Sequence, residues 1–275
     1  MKIIGERINS TRLQIKKALD ENDINFLLKE AKRQVVSGAD YIDVNCAAAM
    51  EKEADKLREI ITAIREELGC GVSIDTPDTE LIKIILGSMD AGKPFVNSIT
   101  AEADRLKELP VILNQKDSYV ITLAMDDNGM PDDLEDRLRV SESIISYAKD
   151  NNIALDNIYI DLLVKPVSTE PKQASYFLEA VKVLSDKGIN TIGGLSNVSF
   201  GLPKRTLLNA VFIKLVIDAG ISGLIIDPTE ALTSKVLSKE ELPKEQFVLA
   251  KEVLLGQDDY ASNYIKAFRE GRLEF

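Results

Sequence analysis

The 275-residue chain has no histidine and no tryptophan, and only two cysteines. Without histidine there can be no histidine general base, no Ser-His-Asp triad and no His-ligated zinc. Cys46 and Cys70 do not form a CxxC pair. They argue against a thiolate zinc site and suit a reducing, cytoplasmic setting, so no bound metal is expected. Acid–base chemistry then falls to carboxylates, lysine, tyrosine or water. The opening MKIIGERIN lacks a long apolar segment, so a signal peptide is not expected. No run approaches the length of a membrane span, and no membrane partner is expected. A net charge of −11 leaves no basic stripe for nucleic acid. What remains is an ordinary globular composition, 45% hydrophobic and 29% charged, long enough for a large core.

Short β-branched runs recur from end to end: KIIG (2–5), YIDV (41–44), VSID (72–75), PFVNSI (94–99), YVITLAM (119–125), IYIDLL (158–163), TIGGL (191–195) and GLIID (223–227). They are mostly continuous rather than alternating, as in parallel strands covered on both faces. Helical periods lie between them. After Asp23, a good N-cap, Ile24, Leu27, Leu28, Ala31 and Val35 share a face, and Gly38 ends the helix. Leu57, Ile60, Ile61, Ile64 and Leu68 repeat the pattern before Gly69. The helix exits SGAD (37–40), KGIN (187–190) and AGIS (219–222) resemble one another. Eight strand–helix units with short joins predict one α/β domain over 1–275, a closed (β/α)8 TIM barrel. A doubly wound open sheet is the alternative, but neither GxGxxG nor a Walker A sequence is present. Residues 257–275 read as a closing helix, with Tyr260, Tyr264, Ile265 and Phe268 on one face.

Barrel enzymes place their chemistry at the C-terminal ends of the strands. Here those ends carry Glu6, Arg7 and Asn9, then Asp43 and Asn45, Asp75, Asn97 and Ser98, Asp126, Asp161, Asn197 and Asp227. Each could simply cap a helix or form a turn, and Asp227 before Pro228 reads as such a cap. Together they make a bowl of carboxylates and amides. Such a bowl suits a flat heterocycle with adjacent N–H and amino donors and a carbonyl, and a pterin is such a ring. A sugar would ask for aromatic platforms, yet aromatics are 5% of the chain and few fall at strand ends. Cys46, next to Asn45, reads as a small packing residue.

GERIN (5–9), IDVN (42–45), SID (73–75), VNSITAE (96–102), MDDNGMPDD (125–133), IYIDLL (158–163) and GLSNVSFG (194–201) occur in this order over essentially the whole chain. As a set they resemble the pterin-binding methyltransferases, which include the methyltetrahydrofolate:corrinoid protein methyltransferases and the folate module of cobalamin-dependent methionine synthase. Dihydropteroate synthase is a more distant likeness. The resemblance implies a pterin-binding TIM barrel that moves a methyl group between N5 of tetrahydrofolate and the cobalt of a corrinoid (cobalamin). The corrinoid would be carried by a partner protein docking over the barrel mouth, and the enzyme would be a homodimer. Asp75, Asn97 and Asp161 would hold the pterin, and Asn197 would hydrogen-bond N5. Glu6, Asp43, Asn45, Ser98 and Asp126 would form the supporting network. Two positions depart from the pattern: Leu162 follows Asp161 where the motif is often DPL, and Phe200 stands after SNVS. Both departures bear on the rim around the methyl group.

N5 is a poor leaving group unless it is protonated. Asn197 has no titratable proton, so it is expected to follow N5 between protonation states while the proton comes from water or nearby carboxylates. Two alternatives stand beside this reading. One is a dihydropteroate synthase-like enzyme, for which Lys204 and Arg205 follow the Asn197 loop but the last strand end, IIDPTEA, is acidic. The other is a folate-binding module without turnover.

Overall fold

The computed structural model describes residues 1–88 and 92–274. Its eight parallel strands are β1 (Lys2–Asn9), β2 (Tyr41–Asn45), β3 (Gly71–Asp75), β4 (Phe95–Thr100), β5 (Tyr119–Leu123), β6 (Ile158–Asp161), β7 (Thr191–Ile192) and β8 (Gly223–Ile226). They lie in the order β7-β6-β5-β4-β3-β2-β1-β8. The two edges then meet. Ser222 N–H donates to Thr191 O at 3.0 Å and Ile225 N–H to Gly193 O at 2.9 Å, and Gly194 bridges Ile225. This nearly closed barrel with helices outside is the expected architecture and excludes the open doubly wound sheet. The seventh strand is shorter than TIGGL suggests. It stops at Ile192, and Leu195–Ser199 coils into a 3₁₀ turn. Among the described residues no helix is long and apolar enough to cross a membrane.

The helices form where their periodicity and caps direct. Asp23 accepts from Phe26 N–H at 3.0 Å and starts the helix Ile24–Val36. Glu53–Leu68 buries Leu57, Ile60, Ile61 and Ile64 and ends at Gly69. At the three similar helix exits Gly38, Gly188 and Gly220 all take positive φ, of 101°, 71° and 92°. Glycine enters that region without steric cost.

Two expectations fail for identifiable reasons. On Ile24–Val36 the buried positions include Glu30 and Gln34, while Val35 is only half-buried. Both polar side chains serve β1: Glu30 pairs with Arg7, and Gln34 Oε1 accepts from Arg7 N–H at 3.0 Å. Gln34 lies so close over Gly5 that a Cβ there would sit 2.4 Å from its Oε1. The closing helix is also shorter than expected, Ser262–Arg269. Asp258 sets its start by accepting from Asn263 and Tyr264 N–H at 3.0 and 2.9 Å. Tyr264 is buried, but Tyr260 and Ala261 are left-handed and Tyr260 is 93% exposed, off the apolar face. Phe275 at the end of that stretch lies outside the described residues.

The main core fills the space between sheet and helices. A second cluster, Ile4, Tyr41, Phe95, Ile121, Tyr159, Ile192 and Ile225, is contributed by six of the other strands together with β1 and lies on the opposite strand face, inside the barrel. Phe95 is its hub, with ring centroids 4.8 Å from Tyr41, 4.9 Å from Tyr119 and 5.0 Å from Tyr159. Below them the Lys93 ammonium lies 4.4 Å from the Tyr119 ring centre and Lys2 5.6 Å from that of Tyr41. Four of the aromatics, Tyr41, Phe95, Tyr119 and Tyr159, thus close the floor of the barrel.

Candidate active site

Side chains two apart on a strand share a face. Glu6 therefore stands one step above Ile4, Asp43 above Tyr41, Asn97 above Phe95 and Asp161 above Tyr159. The register sets Asp43 beside Ser73, Asp75 beside Asn97, and Asp161 beside Leu123.

The β2–β4 side forms one connected group. Asn97 Nδ2 donates to both oxygens of the buried Asp43, at 3.3 and 3.5 Å, and the Asp75 carboxyl adjoins Asp43. Asn45 Nδ2 reaches Asp75 O at 3.4 Å, while its Oδ1 accepts from Ser10 Oγ at 2.6 Å. Burial first, and Asp75 second, push the Asp43 carboxyl well above the usual range. Asp75 is also raised, by burial. Ionising both of two adjoining carboxyls is costly, so the pair gives up its last proton at a higher pH than an isolated carboxyl would.

Asp161 stands apart from that group. It is buried, and its Oδ1 accepts from Leu163 N–H at 2.8 Å, with a further contact to the Gly194 amide. Burial raises it to about 6 despite those two donors. Above it lies the loop after β7. Glu6 accepts from Ser196 Oγ at 2.7 Å, and burial raises the Glu6 carboxyl. Arg205 fastens the same loop, donating to Ser196 O at 2.8 Å and Ser199 Oγ at 3.1 Å. Asn197, between these anchors, is exposed, and its amide has no hydrogen-bond partner among the described residues. The anchored loop thus presents a free amide.

The remaining candidates fall elsewhere. Asp126 lies in a turn, bonded to Asn128 N–H at 2.9 Å and to Arg139 at 2.7 Å, and joins no carboxylate of the bowl. Arg139 holds its pKa below the ordinary value. Ser98 is half-buried at the register shift in β4, and its hydroxyl has no partner among the described residues. Asp227 does more than cap. One oxygen accepts from Thr229 N–H and Oγ1, at 3.0 and 2.6 Å, and the other pairs with Arg7 at 2.5 Å. The following helix begins only at Ala231. Leu162 is fully buried and so is no part of the rim, whereas Phe200 is 62% exposed with the Arg205 guanidinium 5.8 Å from its ring centre. Cys46 is fully buried and its thiol is pushed up to about 12 by burial, as fits packing. Ser196, inside the GLSNVSFG motif, was not among the candidate site residues, and Arg205, just after it, entered only for the dihydropteroate synthase-like alternative.

A (β/α)8 barrel whose mouth carries buried carboxyls on two strands, half-buried polar groups on their neighbours and a free amide on a fixed loop has the makings of a pterin-binding enzyme. The family model described as pterin binding enzyme matches residues 5–227, and the chain belongs to that family. It is 31% identical over 278 aligned residues, 99% of this chain and 98% of the relative, to the methylcorrinoid:tetrahydrofolate methyltransferase of Eubacterium limosum. It is also 27% identical to the dihydropteroate synthase of Clostridium beijerinckii, over 51% of this chain and 54% of the relative. Among solved structures, a dihydropteroate synthase from Coxiella burnetii in complex with pteroic acid matches with a TM-score of 0.62 at 16% identity, covering 92% of this chain and 93% of that one. One from Xanthomonas albilineans with 7,8-dihydropteroate matches with a TM-score of 0.60 at 17% identity, over 92% of each chain. At such identities the structures speak for the fold alone.

Proposed function

We propose that this protein transfers a methyl group between N5 of tetrahydrofolate and a corrinoid carried by a partner protein. The observation that carries the reading is the pairing of one free amide with polar groups in the same mouth: the buried Asp161 and the half-buried Asp75 and Asn97 below, Asn197 above. The near full-length likeness to a methylcorrinoid:tetrahydrofolate methyltransferase selects this chemistry among pterin reactions.

A reduced pterin offers an N–H and an amino group along one edge, and a carboxylate accepts both at once. Asp161 supplies such a carboxylate, ionised above about pH 6 and already oriented by the Leu163 amide, with the Gly194 amide nearby. Asp75 and Asn97 take up the rest of the ring, and Asp43 fixes Asn97 from behind. Asn197 then faces N5. Its amide can donate to an unprotonated nitrogen or accept from a protonated one, and no other bond has to be broken first. It favours the charged N5 of the transition state without holding a proton of its own. Glu6, tied to the neighbouring Ser196 and raised by burial, is the carboxyl placed to relay that proton.

The corrinoid supplies the cobalt that exchanges the methyl group. The mouth suits a large apolar-faced partner: Leu13, Met50, Met130 and Phe200 are exposed, each on the connection after a different strand. Dihydropteroate synthesis is the weaker reading. At the end of β8 a pyrophosphate would meet Asp227, whose nearest cation, Arg7, is already shared with Glu30.

Mixing the protein with methyltetrahydrofolate and a reduced corrinoid, and following the corrinoid spectrum, tests the proposal. Enzyme-dependent methylation is expected. Folate binding with no transfer to any corrinoid would leave only a binding module.

A further inference from the structure

Arg137 is the largest fully buried side chain among the described residues, at 0% exposure. It sits in the first turn of the helix Leu134–Asp150. Its four acceptors are all neutral: Nε donates to Leu162 O at 3.1 Å, Nη1 to Asp133 O at 3.0 Å, and Nη2 to Leu163 O at 3.2 Å and Gln173 Oε1 at 2.6 Å. Gln173 is itself buried and donates to Asp132 O at 2.7 Å. A buried charge hydrogen-bonded to no carboxylate costs stability that an apolar side chain of similar size would not, even with Asp132, Asp133 and Asp136 near enough to favour it. Packing alone therefore does not account for an arginine here.

Its acceptors say what it does. Leu162 and Leu163 directly follow Asp161, and Leu163 is left-handed at φ 60° without being glycine. Such a backbone holds only where its surroundings fix it. Here the Leu163 N–H points at Asp161 Oδ1, while the carbonyls of Leu162 and Leu163 are held by Arg137. The guanidinium's planar fork fits two successive carbonyls in a way an ammonium does not.

We infer that Arg137 is a positioning residue for the folate site: it fixes the turn after β6, so that the Leu163 amide holds the Asp161 carboxylate at the angle that meets the pterin edge. This rests on the reading of Asp161 as a pterin ligand. Arg137 touches no substrate and acts only through Asp161.

The test is a double-mutant cycle on methyltetrahydrofolate affinity, by calorimetry, with Arg137→Lys and Asp161→Asn alone and together. Circular dichroism confirms that each variant is folded at the working temperature. Arg137→Lys should weaken binding about ten-fold in the parent and less than about two-fold in the Asp161→Asn background, the coupling expected of residues in one network. Equal losses in both backgrounds, or none, would overturn the inference and leave a purely structural arginine. If Asp161→Asn binds folate as tightly as the parent, the ligand reading itself fails, and the inference with it. Should Arg137→Lys not fold, Gln173→Met removes one acceptor and leaves the arginine in place. A loss of about three-fold that vanishes in the Asp161→Asn background supports the inference, and an undiminished loss there refutes it.

Discussion

On β2, β4 and β6 the floor and the mouth of the barrel are two residues apart: Tyr41 and Asp43, Phe95 and Asn97, Tyr159 and Asp161. The lower member of each pair packs ring against ring. The upper member is a carboxylate or amide, and the two carboxylates have pKa values raised by the same burial. A single turn of the pleat thus separates residues that stabilise the fold from residues that cost it stability. The cost is what keeps acceptors dry and oriented for a ligand. Changes on the floor should damage stability, and changes at the mouth should damage binding or rate while sparing or raising stability.

The largest effect is expected on the floor. Phe95→Ala removes the hub of the ring cluster and should cost about 3–5 kcal/mol in denaturant unfolding. A loss within experimental error would mean that the floor is not what holds the barrel. At the mouth, Asn197→Ala should lower methyl transfer roughly 100-fold, the scale of one lost transition-state donor. Since the side chain is exposed and unbonded, its unfolding free energy should stay within about 0.5 kcal/mol of the parent. A stability loss that tracked the rate loss would erase the contrast.

Asp161→Asn sharpens it from the other side. A carboxyl raised to about 6 in the fold binds protons that the unfolded chain has already released, so its contribution is full at low pH and fades as pH rises toward and through 6. At pH 7.5 the neutral amide should therefore stabilise the protein, by up to about 3 kcal/mol, while folate binding weakens. A destabilised variant would show that the charge is paid for elsewhere in the fold. The smallest effect is on the ligand: folate affinity of the parent should fall about four-fold between pH 7.5 and pH 5.5 as Asp161 takes up its proton. A pH-independent Kd would place the titrating group outside the contact.

The contrast also explains what could be read from the sequence. Mostly apolar runs marked all eight strands, because strands covered on both faces have few polar positions to interrupt them. They overran at TIGGL, where Gly193 and Gly194 bring no side chain to signal the turn. Asp43, Asp75, Asn97 and Asp161 stood out because an acid or amide ending an apolar run is costly and has to be explained. Tyr41, Phe95 and Tyr119 each open a strand, and Tyr159 is second in its own, a recurrence that could have revealed the floor. Glu30, Gln34 and Arg137 were not legible. Helical periodicity counts such residues as solvent-facing, and only the fold brings Arg7 to the first two and the turn after β6 to the third. Asp126 misled for the opposite reason: its position beyond a strand was visible, but its partner, Arg139, lies a loop and a helical turn away.

The account turns on whether the buried carboxylate of β6 meets the pterin. The most direct measurement is a calorimetric titration of methyltetrahydrofolate into the parent protein and into Asp161→Ala. Saturable binding by the parent, weakened about thirty-fold or more in a variant that remains folded, is the predicted result. Equal affinity in the two proteins would contradict it and move the ligand away from this mouth.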